Sequence, residues 1–306
     1  MPIEKVCVLG APADQGQPLV QALLAAGFDV TAGVRRADAL ADTPFPDLPT
    51  VHADITDADA MASAFAGQDA AAFHLPFEFD RERAAMFGRC VAEGAKRAEL
   101  KKIVFNTACF VADHDLDLSA HDGRRDIERA LEDTGIPCVF IEPVVFMDNQ
   151  YRIWTRPLIV RDGVFAYPAK PDLEISWVCL EDVGRAMTLS LSTDKADGKH
   201  VPLGGPQALT GDQVAANLSV ALDRPVRFQS LAPEEFAARM SELVTGSREI
   251  EPLSIYDGMA KFYAWYNAQP SSPLVVDPSH ASDLLGLEHT SHLEWARSKD
   301  WTAGLA

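Results

Sequence analysis

No stretch of the chain runs for ~18 apolar residues without a charge, so no membrane span is expected. The opening residues, MPIEKVCVLG, lack a basic segment and a long apolar one. No signal peptide is expected, therefore, and a cytoplasmic location is. Cysteine is sparse and unpatterned. The five (Cys7, Cys90, Cys109, Cys138 and Cys179) are odd in number, show no CxxC spacing and fall mostly in apolar runs, which reads as reduced, buried thiols. Positive charge is short as well: 27 Lys and Arg stand against 45 Asp and Glu, a formal net charge of −18. A field of that sign repels nucleic acid and anionic membranes, so neither is expected as a partner. An anionic ligand must then be captured by local positive features. There is no Gly-x-Ser-x-Gly elbow of a serine hydrolase, no internal repeat and no low-complexity segment. His114 crowds one loop with Asp113, Asp115 and Asp117, but the spacing matches no ligand pattern and reads as a solvated acidic loop; no metal site is expected.

What is present is an alternation. VCVLG, FDVTAGV, TVHADI, DAAAFHL, KKIVFNTA and CVFIEP read as strands. Helical stretches fall between them, from Gln15, over about Asp57–Phe65, Arg83–Ala98 and Asp122–Asp133. Gly27 stops the first helix where a left-handed residue is wanted. This is the sequence form of a parallel sheet covered on both faces, hence an α/β, doubly wound, Rossmann-like fold with ligands at the carboxyl ends of the strands. After about Phe146 the pattern loosens. EISWVCL reads as a strand and EDVGRAMTLSLS as a helix; Thr210 and Gln213 have capping-box spacing before VAANLSVAL, and RPVRFQS is a further strand. Helical stretches follow near Pro233–Leu243 and Leu253–Ala268, the second carrying Phe262, Tyr263, Trp265 and Tyr266. The division expected is residues 1–146 as a dinucleotide-binding domain. Residues 147–306 form a smaller α+β substrate lobe, with segments returning to the sheet.

VLGAPADQGQPLV has the outline of a phosphate-cradling turn: a strand, Gly10, Gly16, then a helix. Such a turn offers backbone N–H groups and the positive end of a helix dipole to a pyrophosphate. The middle glycine is Ala13, which crowds without excluding, and Asp14 beside it opposes phosphate unless it points to solvent or caps the helix. After the second strand, Arg35 and Arg36 stand where an NAD enzyme places an acid, and paired arginines there suit a 2′-phosphate. Asp54 and Ile55 end the third strand, where a carboxylate can accept from an adenine amino group and an isoleucine can pack on the ring.

The run from Val8 to Arg36 resembles the opening of the NmrA-like, atypical short-chain dehydrogenase/reductase proteins, whose usual text is close to Gly-Ala-Thr-Gly-x-Gln-Gly, then a helix and a strand ending in Val-Arg. LKKIVFNTA, DIERALEDTGIPCVFIEPVVFMDN, ISWVCLEDVGRAM and VPLGGPQALTGDQVAANLSVALDRPV continue the resemblance, to about residue 270. The resemblance implies an NADP(H)-binding domain, with NADP(H) in preference to NAD(H), and a small-molecule substrate. It places Gly10, Ala11, Pro12, Ala13, Asp14, Gln15 and Gly16 at the phosphates, Arg35 and Arg36 at the 2′-phosphate, and Asp54 and Ile55 at the adenine. His74, Leu75, Pro76 and Phe77, with Asn106, Thr107 and Ala108, line the ribose and nicotinamide side. Pro143, Val144 and Phe146 floor the nicotinamide. Departures from the family text are Pro12, Ala13, Asp14, and Glu142 where arginine usually precedes the proline.

Short-chain reductases usually place Tyr-x-x-x-Lys on the helix after the fifth strand, stacking proton donor and cation on one face. Here Ala120 falls at the tyrosine and Arg124 at the lysine. Arg124 can orient a ribose hydroxyl or substrate anion but is a poor proton shuttle. His121, titrating near neutrality, is the best stand-in acid; Asp122 reads as a cap, and Cys109 as inert. The reading is an NADP(H)-dependent oxidoreductase acting on a small, apolar or aromatic carbonyl or alkene compound, as a monomer or homodimer. Two alternatives stay open: a dinucleotide-sensing regulator without catalysis, and a non-redox isomerase or lyase on the same fold.

Overall fold

Runs that are apolar at every position, rather than every second one, build the centre of the molecule. In the computed structural model, which describes residues 2–304, the nine strands are β1 (Lys5–Leu9), β2 (Asp29–Val34), β3 (Thr50–His52), β4 (Ala70–His74), β5 (Lys102–Asn106), β6 (Cys138–Pro143), β7 (Val164–Tyr167), β8 (Lys199–Leu203) and β9 (Arg227–Ser230). β5 and β6 are buried at every residue, as strands covered on both faces must be. Seven strands form one sheet in the order β3-β2-β1-β4-β5-β6-β8, every pairing parallel. The order reverses between β1 and β4, the switch point at which doubly wound sheets hold ligands.

The chain divides into two compact units. The first comprises the chain up to Pro143, Leu180–Leu203 and Ser279–Glu288. It contains the seven-stranded sheet with helices α1 (Gly16–Ala25), α2 (Ala58–Phe65), α3 (Arg81–Arg97), α4 (Ser119–Glu132), α6 (Leu180–Leu191) and α10 (Ser279–Leu285). Aromatic and branched side chains of α2, α3 and α4, Phe65, Phe87, Val91, Ile127 and Leu131, pack on Phe73, Phe105 and Phe140 of the sheet. The second unit comprises Val144–Cys179, Gly204–Pro278 and the residues from His289 on. It holds the parallel pair β7-β9 with α5 (Arg156–Asp162), α7 (Gly211–Leu222), α8 (Pro233–Thr245), α9 (Ile255–Ala268) and α11 (His292–Ser298). Its core is aromatic: Tyr167 meets Trp177, Phe236 and Tyr263, and the Tyr167 and Tyr263 hydroxyls lie 2.5 Å apart. Tyr263 and Tyr266 of the aromatic helix are therefore packing residues. The expected capping box forms, with Thr210 and Gln213 exchanging hydrogen bonds at the start of α7.

Two local expectations are corrected, and one strand is unforeseen. The segment EISWVCL is no strand, because its backbone groups find partners on separate segments: Ile175 bridges Leu209, the Ser176 N–H donates to Leu274 O, and the Val178 N–H to Val145 O. β8, not anticipated, is an edge strand with Pro202 inside it and its first two residues exposed, so it carries no apolar run to announce it. Helix α4 begins at Ser119, and Asp122 is not its cap: Leu118 holds that position, and the Asp122 carboxylate accepts the Leu116 N–H at 2.8 Å. No helix among the described residues is long and apolar enough to cross a membrane.

Candidate nucleotide-binding site

The turn after β1 closes on hydrogen bonds from Ala13 N to Gly10 O and from Gly16 N to Ala13 O, each 2.9 Å. The two retained glycines have separate reasons. Gly10 takes φ +76°, and a Cβ there would lie 2.6 Å from His74 Cε1. A Cβ on Gly16 would lie 2.0 Å from Gly10 O, so no side chain fits while the turn keeps this path. Ala13 and Asp14, the departures from the glycine pattern, are exposed. Helix α1 starts with no side-chain cap and no acid in its first turn, so only the Ala13 carbonyl, which takes the Gly16 and Gln17 N–H groups, competes with an anion there. Ala11 is buried; the Pro12 carbonyl accepts from the Gln17 side chain at 2.9 Å.

The next two strand ends carry the charges. Arg35 and Arg36 follow β2 and are exposed; Arg36 meets Asp38 at 3.2 Å, a pair exposed enough to contribute little. The Ala53 N–H donates to Val34 O at 2.9 Å, which draws the Asp54–Ile55 segment beside the arginines. Asp54 accepts from the Thr56 hydroxyl at 2.7 Å and the Thr56 N–H at 2.9 Å. These bonds, hydroxyl first, with a smaller pull from Arg35, hold its carboxyl below the usual range.

His74 and Asn106 are register partners at the ends of β4 and β5. Asn106 joins two segments: its amide nitrogen donates to Gln15 Oε1 at 2.8 Å, and its oxygen accepts the Ala108 N–H at 2.8 Å. That second bond helps to hold Ala108 at φ 60°, a left-handed conformation rarely taken without glycine. Thr107 is fully buried, its hydroxyl 2.5 Å from Cys109 O and 3.1 Å from Ile141 O. Burial, then Arg124, pulls His74 down to about 4.

Ala120 and Arg124 lie one turn apart on α4, both buried. Arg124 Nη2 donates to Leu75 O at 2.8 Å and Pro76 O at 2.9 Å, and the guanidinium sits 4.8 Å from the Phe77 ring centroid. Burial lowers it to about 10, which leaves it charged at neutral pH. It thus pins the loop after β4. His121 was expected to titrate near neutrality. It is instead 2 % exposed, packed against Phe110, and pulled down to about 3 by burial first and Arg124 second. The imidazole is neutral in use. Cys109 is buried and its thiol is pushed up to about 12, so it is not a nucleophile. Pro143 ends β6; Val144 is buried and Phe146 half-buried in the second unit, where Phe146 bridges Val178. The acidic loop is partly tied down: Asp115 pairs with Arg81 and Arg125, while Asp113 and His114 stay exposed.

Sequence reasoning missed the Asn106–Gln15 bond and the Arg124 grip on two carbonyls. Both join residues 48 or more apart, and no spacing signals them.

A parallel sheet with an uncapped, glycine-closed turn at its switch point and arginines after the next strand defines a Rossmann-like nucleotide-binding protein. The model of the NmrA-like family matches residues 2–296, and the chain belongs to that family. It is 26% identical over 262 residues to the NAD(P)H azoreductase of Xenophilus azovorans, covering 85% of this chain and 86% of that one. The structure of the NADPH-dependent quinone oxidoreductase 2 of Escherichia coli, complexed with NADPH, superposes with a TM-score of 0.78 at 23% identity, covering 96% of this chain and 99% of that chain. The negative transcriptional regulator NmrA in complex with NADP superposes at 0.75 with 20% identity, covering 98% and 99%.

Proposed function

We propose that the protein is an NADP(H)-dependent oxidoreductase whose acceptor is a small quinone-like aromatic carbonyl compound. The observation that carries the cofactor assignment is the anion cradle: a turn with no room for a side chain at Gly16, an uncapped start to α1, and exposed Arg35 and Arg36 after β2. The azoreductase and quinone oxidoreductase relatives support both the cofactor and the acceptor class. Bound NADPH supplies a hydride. Gly10–Gly16 and the first turn of α1 hold the pyrophosphate, Arg35 and Arg36 the 2′-phosphate, and Asp54 and Ile55 the adenine. Asn106 and Arg124 keep the turn after β1 and the loop after β4 in place. The second unit, on this reading, supplies substrate recognition.

The missing Tyr-x-x-x-Lys pair narrows the acceptor. A simple ketone accepting hydride becomes an alkoxide, whose conjugate acid is about as weak as water at ~15.7, and it needs a positioned donor. A quinone becomes a hydroquinone anion, a phenolate of pKa near 10 like that of tyrosine, which takes its proton from water unaided. Ala120, buried Arg124 and neutral His121 are compatible with the second acceptor and not the first.

Calorimetric titration with NADPH and with NADH, repeated on the Arg35→Ala, Arg36→Ala double variant, tests the reading. Micromolar binding of NADPH that the variant loses is expected. Absence of binding by either nucleotide would overturn the cofactor assignment and the redox reaction with it. The regulator alternative is favoured by the same missing pair. It predicts equally tight NADPH binding with no oxidation by any quinone or azo acceptor.

A further inference from the structure

At the β6–β8 edge of the sheet, helix α4 and the two strands hold a charged cluster that the proposed reaction does not use. Glu128 comes from α4, Glu142 from β6 and His200 from β8. Phe140 and His200 are register partners, and their rings stack with centroids 4.8 Å apart. Glu142, two residues beyond Phe140, emerges on that same sheet face, with Oε1 2.6 Å from His200 Nδ1. Glu128 Oε1 lies 3.7 Å from the same nitrogen. One donor atom from each of the three residues falls within 4.8 Å of the others.

Two further facts point to a ligand. Glu128 is 2 % exposed, and its Oε1 is buried with no hydrogen-bond partner. Arg125, one turn earlier on α4, pairs with Asp115. A buried carboxylate oxygen aimed into a cluster, with no hydrogen bond and only the half-exposed imidazole at 3.7 Å, is poorly satisfied, and a cation between the carboxylates meets it better. On the far side of the imidazole, Nε2 lies 3.5 Å from a Glu132 carboxylate oxygen. That is the place of the carboxylate that orients a metal-binding histidine through its second nitrogen. His200 and Glu132, 44% and 49% exposed, leave the cluster open to solvent.

We propose that Glu128, Glu142 and His200 Nδ1 bind a divalent transition-metal ion, with Glu132 fixing the imidazole. An imidazole with two carboxylates selects zinc, cobalt or manganese over magnesium and calcium, which favour all-oxygen sites. Ligand atoms held ~2.1 Å from a tetrahedral ion stand about 3.4 Å apart, and the 2.6 Å and 3.7 Å contacts here bracket that spacing. Small side-chain rotations suffice. The fourth position is left to water on the solvent side. The ion ties the end of α4 to β6 and β8, two elements that the sequence leaves 58 residues apart at the Glu142–His200 contact. Its role is to position α4, and no step of hydride transfer passes through it.

Calorimetry on the chelator-treated full chain with Zn2+, Co2+ and Mg2+ tests this without NADPH. Expected is one Zn2+ or Co2+ site per chain and none for Mg2+. Affinity should fall at least about 100-fold in Glu142→Gln and in His200→Asn, and the Zn2+-induced rise in Tm should vanish in both. Circular dichroism establishes that each variant is folded; His200 is half-exposed, so His200→Asn decides if Glu142→Gln does not fold. No Zn2+ or Co2+ binding to the wild type overturns the proposal, with the imidazole alone meeting the carboxylates. Binding unchanged in His200→Asn overturns it equally, because the ion then sits elsewhere, for instance at Asp113 and His114. NADPH titration of the same samples keeps a failure here distinct from a failure of the cofactor assignment.

Discussion

In the turn after β1, the two residues that depart from the usual glycine pattern, Ala13 and Asp14, are exposed, and the two glycines retained are those whose side chains would strike Gly10 O or His74. In helix α4 the positions usually occupied by tyrosine and lysine hold Ala120 and Arg124, both buried, beside a buried neutral histidine. The turn is therefore limited by sterics: substitution is tolerated where the chain faces solvent and not where a Cβ would strike Gly10 O or the His74 ring. Helix α4 is limited by chemistry. Its polar groups have become structural, with Arg124 holding the carbonyls of Leu75 and Pro76, which on the proposed function leaves the proton to the acceptor.

Substitutions can break this contrast. Gly16→Ala places a methyl against Gly10 O and should cost about 2–3 kcal/mol of stability while abolishing NADPH binding, read by urea denaturation and calorimetry. A variant that binds normally would show that the turn is not sterically closed. Arg35→Ala with Arg36→Ala removes two charge-assisted contacts of about 1.5 kcal/mol each, so NADPH affinity should fall on the order of a hundredfold while NADH affinity holds. Equal losses for both nucleotides would remove the 2′-phosphate from the account of specificity. Arg124→Ala leaves two carbonyls without their donor and should cost about 2 kcal/mol in stability and loosen the loop after β4. Arg124→Lys, lacking the forked geometry, should recover only part of it.

The smallest effect expected on turnover is that of His121→Asn, which should stay well short of the ~100-fold that a general acid supplies. Its effect on acid stability has a definite sign. The folded pKa of about 3 lies below that of the unfolded chain, ~6.5, so the unfolded chain protonates first as pH falls. The stability is whole above ~6.5 and is lost as pH falls toward 3. By pH 5 this amounts to about 2 kcal/mol. The loss between pH 7 and 5 should shrink by about that much in His121→Asn, measured by urea midpoints. A His121→Asn protein with unchanged pH dependence would place the ring in water.

Much of the nucleotide end was legible because each part is local. A glycine turn, two arginines after a strand and an acid two residues into the next loop are read from neighbours along the chain. The sheet was legible for the same reason, since β5 and β6 are built on unbroken apolar stretches, Ile103 to Phe105 and Cys138 to Ile141. The edge strand β8 was not, because Pro202 and two exposed residues break its run. At α4 the identities of residues 120 and 124 were plain, but not their burial. His121 looks like a titratable group at a helix start until Phe110 is folded over it. The Glu128–Glu142–His200 cluster has no spacing at all, because a helix and two strands bring it together.

The most direct measurement of the central claim is quinone-dependent oxidation of NADPH deuterated at C4, followed by its absorbance without oxygen. Expected is turnover with a primary isotope effect, the label itself being lost to water from the hydroquinone oxygen. That turnover should be weakened at low NADPH by the Arg35→Ala, Arg36→Ala pair and little changed by His121→Asn. Tight NADPH binding with no oxidation by any quinone or azo acceptor would contradict it, and the protein would be a nucleotide-binding regulator.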